Sequence, residues 1–178
     1  MRCAHVQLMA RYNQWMNQRL YEAAARLPEE ILKADRRAYF SSLFGTLNHL
    51  AVADTIWLKR FAAHPAQQGA LVAMQALPLP KALDQLLFSE LDQLASYRKM
   101  LDALIVDWCA TLQEADLDQV LHYANTRGVV SDKPLFSLLM HFFNHQTHHR
   151  GQASTLLSQA GVDLGVTDLL ALIPNVTS

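Results

Sequence analysis

The stretch PLFSLLMHFFNHQTHHRGQASTLLSQA, residues 134–160, decides how the rest of the chain is read. It carries four of the eight histidines, and three of them, His141, His145 and His149, recur every fourth residue. On an α-helix such residues sit one above another, with Cβ atoms roughly 5–6 Å apart. At that spacing two imidazoles can grip one metal ion, as they do on the helices of zinc peptidases. Pro134 suits a first helical turn, where its missing N–H would have no intrahelical partner. Gly161, just past the end, suits the left-handed residue that stops a helix.

The apolar residues set a phase against which each histidine is judged. Leu135, Leu138, Phe142, Ala153 and Leu156 follow steps of three or four, and positions 145 and 149 fill the gap between them. At about 100° per residue the stripe centres near Phe142, Ala153 and Ala160. His149 falls well inside it, His145 at its margin, then His141 and His148 progressively further round. Taken singly, each histidine fits an ordinary hydrogen-bonded position on a half-buried helix. The inward pair His145 and His149 reads differently, because an unpaired polar ring in an apolar core costs on the order of 1–3 kcal/mol. A metal ion would partner both. Two ligands make a weak site, so a third is expected from another element.

Composition bounds what surrounds this helix. The 178-residue chain fits one domain, 1–178, with length for a sizeable core. Its 51% hydrophobic content and net charge of −1 argue against a disordered chain or a nucleic-acid partner. The apolar runs are too short or too interrupted to span a bilayer, so no membrane partner is expected. The first residues, MRCAHVQLMARYNQW, lack the apolar core of a signal peptide. Cys3 and Cys109 have no CxxC spacing and read as free thiols in a cytoplasmic protein.

In chain order, three more helical segments precede the histidine-rich one. The first runs from about His5 to Leu27, with Met9, Tyr12, Met16, Leu20, Ala23 and Leu27 at helical spacing, and ends at Pro28. Asn13 and Asn17, four apart, could face a partner helix, but solvated asparagines are the expected reading. A connector leads to Ser41 or Ser42 as N-cap of the second helix, which runs to His64 before Pro65. Leu43, Leu50, Ala53, Trp57 and Phe61 form its stripe, and His49 sits at the edge. Gly45 and Ala53, one turn either side of His49, are both small. A helical glycine costs about 1 kcal/mol relative to alanine and asks for a reason. Either the small residues leave a hollow around His49, or Gly45 permits close packing. Residues 65–80 read as a surface loop, and the third helix is expected over about Lys81 to Leu112, with Leu83 and Leu87 on its stripe. Residues 113–133 are irregular, with a short hairpin suggested around Gly128. The tail VDLGVTDLLALIPNVTS carries Thr167 before an apolar run, which suggests a short terminal helix packed onto the bundle or a second subunit.

The expected fold is therefore all-α, a four-helix bundle with long inter-helix connections and a short C-terminal helical tail. Bundles build metal sites from inward side chains on facing helices, so His49 joins His145 and His149 in a three-histidine constellation. The chain has no Glu-x-x-His pair, which argues against a di-iron centre. Three neutral imidazoles suit zinc or nickel, with iron or copper as further options, and leave a position for water.

These residues resemble the DinB superfamily of damage-inducible helical proteins. The resemblance rests on YNQWMNQRL (12–20), GTLNHLAVADTIWLKRF (45–61), LLMHFFNHQTHHRGQ (138–152) and GVDLGVTDLL (161–170), and covers nearly the whole length. It implies a bundle whose metal triad is one histidine of the second helix and two, four apart, of the last: here His49, His145 and His149. It also implies a homodimer, and chemistry in which a low-molecular-weight thiol attacks a small electrophile, as in a thiol S-transferase or isomerase. No catalytic residue is assigned by it. Two other readings stand beside this one. A metal-dependent hydrolase would need a general base, for which Asp54, Asp163 and Asp168 are the candidates, although Asp54 reads as a surface residue. A non-catalytic stress-response module would use the metal for stability or partner binding.

Overall fold

In a computed structural model the chain is mostly helical, with one small sheet, and residues 1–64 and 69–176 are described. Four long helices share one apolar core: α1 (Arg2–Ala24), α3 (Leu43–Ala62), α4 (Leu91–Thr111) and α5 (Leu135–Gln159). A short α2 (Glu29–Lys33) lies in the first connection, behind Pro28. Helix α1 packs on α4 and α5, and α3 packs on the same two helices from the other side. On α5 the inward residues Leu138, Leu139, Phe142, Phe143 and Leu157 are all buried. Each such side chain contributes roughly 1.5–3 kcal/mol relative to exposure. The helix ends as its glycine dictates: Gly161 has φ +79°, and the Val162 amide returns to the Leu157 carbonyl at 3.0 Å.

Three expectations need correction. The all-α class is too narrow, because β1 (Val120–Ala124) and β2 (Val130–Pro134) form an antiparallel hairpin, in register from Val120↔Pro134 to Ala124↔Val130. Its turn is built locally: the Asn125 side-chain oxygen accepts from the amides of Arg127 and Val129, beside Gly128. The strand β2 then runs directly into α5. The third helix begins at Leu91, not Lys81. Helical continuation would direct the backbone groups of residues 81–90 to one another, but here they have tertiary partners. The Leu87 and Phe88 amides donate to the Asn48 side chain at 2.8 and 3.4 Å, and the Leu83 carbonyl accepts from His49. Finally, the tail forms a single 3-10 turn (Leu169–Leu172) preceded by Asp168, with no side-chain cap from Thr167. It lies along α1, where Tyr12 donates to the Thr167 carbonyl at 2.6 Å and Arg19 to that of Leu164 at 2.7 Å.

The expected stop at Pro65 and the start of the 65–80 loop, residues 65–68, lie outside the described residues, as does the end of the tail, 177–178. No helix among the described residues is long and apolar enough to cross a membrane.

Candidate metal centre

Helix α3 starts on Ser42, whose hydroxyl accepts from the Gly45 amide at 3.0 Å. The turn before it brings Phe40 back over the helix. A Cβ on Gly45 would stand 2.1 Å from the Phe40 carbonyl oxygen, so only glycine permits this approach. The glycine therefore serves close packing and not a hollow: the Phe40 ring stacks on the His49 imidazole, centroids 3.8 Å apart and planes 16° from parallel.

His49 on α3 and His145 and His149 on α5 come together, with one ligand atom from each all within 4.8 Å of one another. The inward order expected on α5 holds for its first two members, since His149 is 9% exposed and His145 is intermediate, whereas His141 and His148 are both exposed. Two of the three rings are oriented by their other nitrogen. A carbonyl can only accept, so His49 Nδ1–H donates to Leu83 O at 2.7 Å and leaves Nε2 with its lone pair. His149 Nδ1 is likewise 2.7 Å from the Gln152 side-chain oxygen, while the Gln152 amide group meets His148 Nε2 at 3.3 Å. Such outer contacts fix tautomer and aim in metal-ligating histidines.

The Nε2 atoms of His49 and His145 face each other at 3.4 Å. Two metal–nitrogen bonds of about 2.0–2.1 Å at a tetrahedral angle span roughly 3.3–3.4 Å. The donor set therefore fits a divalent cation without rearrangement of that pair. Protonation is opposed throughout. Burial, followed by neighbouring imidazoles, depresses His145 to about 3. Burial depresses His49 to about 4 against the opposing pull of the Leu83 carbonyl, and it also lowers His149. The three rings are neutral ligands at neutral pH. They open on a cleft of about 570 Å³ whose walls include Tyr39, Phe40, Asp84, His148 and Gln152.

The other sequence candidates lie elsewhere. His141 packs edge-on against Trp57 at 5.2 Å, one turn along α5 from the triad. Asp163 and Asp168 are exposed tail residues, and neither lines the cleft. Asp54 is not on the surface: it is 1% exposed, ion-paired with Arg98 and accepting from Gln146 at 2.8 Å. Asn13 and Asn17 are not solvated either, and both donate to Asp102, at 3.1 and 2.9 Å. Arg98 also reaches Asp102 at 3.0 Å, and the buried Arg150 donates to Asn13. A buried polar network thus crosses the core where the sequence suggested surface. Its signal was present as i, i+4 pairs on three helices: Asn13 with Asn17, Arg98 with Asp102, and Gln146 with Arg150. Phe40, Leu83 and Gln152 were also missed, and of these only Gln152, one turn beyond His148, had a helical position to betray it.

Three convergent, neutral histidines presented to an open cleft by a helical protein form a cluster that could hold a metal ion. The DinB family model matches residues 2–175, and the chain belongs to that family. It is similar to Protein DinB of Bacillus subtilis (strain 168), with 26% identity over 157 residues, covering 88% of this chain and 87% of the relative.

Proposed function

We propose that this chain is a single-domain four-helix-bundle metalloprotein. In this reading His49, His145 and His149 hold one divalent transition metal, zinc or nickel foremost, and the site couples a low-molecular-weight thiol to a small electrophile. The observation that carries the reading is the convergence of three uncharged ring nitrogens on an open cleft, with no fourth His, Cys, Asp or Glu in the group among the described residues. A closed set of four would indicate a structural site, whereas three leave room for a reactant.

A divalent cation there would deprotonate a thiol at neutral pH and hold the thiolate. The chain's own residues supply the rest. Leu83 O and Gln152 fix two ring orientations in advance, Phe40 excludes water from one side of His49, and Tyr39 and Phe40 offer apolar wall to an electrophile. Three neutral imidazoles would leave the charge of a bound cation uncompensated by its ligands, which favours a thiolate opposite them. The hydrolytic reading loses the three bases the sequence offered, since Asp54 is engaged by Arg98 and Gln146 and neither Asp163 nor Asp168 lines the cleft. It would have to rest on Asp84 in the cleft wall. Family resemblance extends the proposal to a cytoplasmic homodimer, which light scattering on the purified chain tests.

The deciding experiment is metal analysis followed by thiol titration of a cobalt-substituted sample. About one metal per chain, a thiol-to-metal absorption band, and thiol-dependent consumption of 1-chloro-2,4-dinitrobenzene that His49→Ala abolishes are expected. Ester hydrolysis without thiol, or metal-free protein from metal-replete growth, would overturn the reading.

A further inference from the structure

Helix α3 carries a second concentration of chemistry about three turns beyond His49. Arg60 is half-buried, with its guanidinium carbon 4.6 Å from the Trp57 ring centroid and 5.3 Å from that of Tyr123. The two rings stabilise the cation through their faces but accept none of its in-plane N–H groups. A guanidinium has five such donors, and that of Arg60 makes no hydrogen bond or ion pair to any described residue. Burial without a carboxylate lowers its pKa.

The neighbouring charges do not compensate it. Lys59 Nζ is held by the Met74 carbonyl at 2.7 Å, and Lys81 is exposed and in no ion pair. Asp132 is taken by His122 at 2.8 Å. Lys59, Arg60, Lys81 and His122 line a cleft of about 760 Å³ between α3, the end of β1 and residues 79–81. Ile56, Leu79, Pro80 and Tyr123 give the same cleft apolar lining. An uncompensated, partly desolvated cation beside an apolar surface matches a ligand that joins an anionic oxygen pair to a flat or aliphatic body.

We propose that this cleft binds a small organic acid, its carboxylate on Arg60 with Lys59 and Lys81 at the rim and its apolar body against Tyr123 and Leu79. A carboxylate presents two oxygens to the planar fork of the guanidinium, and both charges shed the cost of facing a half-buried environment alone. The inference stands apart from the metal centre, because none of these residues lines the triad's cleft.

The test uses the full chain treated with chelator, so that a carboxylate cannot bind through a metal. Benzoate, benzamide and inorganic phosphate are titrated in turn, and binding is followed by ¹H–¹⁵N spectra including the Arg60 Nε–H. Saturable benzoate shifts at Arg60 and Tyr123 are expected, with benzamide weaker by about tenfold or more, as loss of a charge-assisted bond implies. Arg60→Gln should weaken benzoate by a similar factor. The exposed Lys81→Gln, which has no packing to disturb, should weaken it up to about fivefold and decides the matter if Arg60→Gln does not fold. His49→Ala should leave benzoate binding unchanged. Benzoate binding indifferent to both charge removals, shifts centred on the triad, or phosphate binding more tightly than benzoate would each overturn the proposal.

Discussion

One helix serves two regions that treat polar groups in opposite ways. On α5, His145 and His149 face the triad, while Gln146 and Arg150, each one residue further on, enter the buried network with Asp54, Arg98, Asp102 and Asn13. In the network the charges answer one another. Burial works against the Arg98 charge, but Asp102 and Asp54 outweigh it and hold its pKa above the usual value. In the triad, three uncharged rings converge, two of them oriented from behind by Leu83 and Gln152. A region whose charges pair with one another holds helices together, and one that aims its groups at a shared point is prepared for something from outside.

That contrast predicts where substitutions act. The largest effect falls on metal binding: His145→Ala or His149→Ala should abolish it by equilibrium dialysis, whereas His148→Ala should change it little. Equal losses from His148→Ala and His149→Ala would mean that the assigned face of α5 is wrong. Stability should show the reverse pattern. Removing one partner of a buried pair leaves the other charged and unsolvated, so Asp54→Ala should cost about 3–5 kcal/mol in urea unfolding. The triad substitutions should leave the metal-free protein helical and close to wild type, and a larger cost from His145→Ala than from Asp54→Ala would erase the distinction.

A smaller effect sharpens the triad itself. Gln152→Ala removes the acceptor that orients His149 and should weaken metal about 10–100-fold without changing the metal-free melting temperature. Unchanged affinity would show that packing alone aims the ring.

The least effect, and the most specific, is on pH dependence. His49 and His145 titrate near 4 and 3 in the folded chain against about 6.5 when unfolded, so below pH 6.5 the unfolded state binds more protons. Their stability is complete above 6.5 and lost as pH falls towards 4 and then 3. Asp102 has the opposite sign, because burial raises it to about 6, and its contribution is present below its unfolded value and lost as pH rises through 6. Unfolding free energies of the metal-free chain between pH 4 and 7 should steepen towards acid loss in Asp102→Asn and flatten in His145→Ala. Metal should likewise stay bound below pH 6.5 and leave only near 4, where protons begin to compete.

The triad was legible because helical phase is a one-dimensional property. The spacing of His145 and His149 against Leu138, Phe142 and Ala153 can be read from the chain alone. The boundaries of α5 were legible for the same reason, with Pro134 and Gly161 marking both ends. Residues 81–90 were not: Leu83 and Leu87 have helical spacing, and only the distant Asn48 and His49 side chains decide that the backbone does otherwise. Asp54 and Asn13 failed similarly, since a polar residue reads as surface until its partners on other helices are known.

The segment before α4 has a consequence for kinetics. Residues 81–88 reach α3 through the Leu83 carbonyl and the Leu87 and Phe88 amides, without a helix or strand of their own. Such a segment opens at a free-energy cost well below that of global unfolding. Opening it would release the contact that fixes the His49 tautomer and remove one wall of the cleft in one event. The Leu87 amide is the gauge. Its deuterium exchange should be among the faster of the chain's protected amides and should slow on adding metal, because a ligand of the closed form depletes the open one.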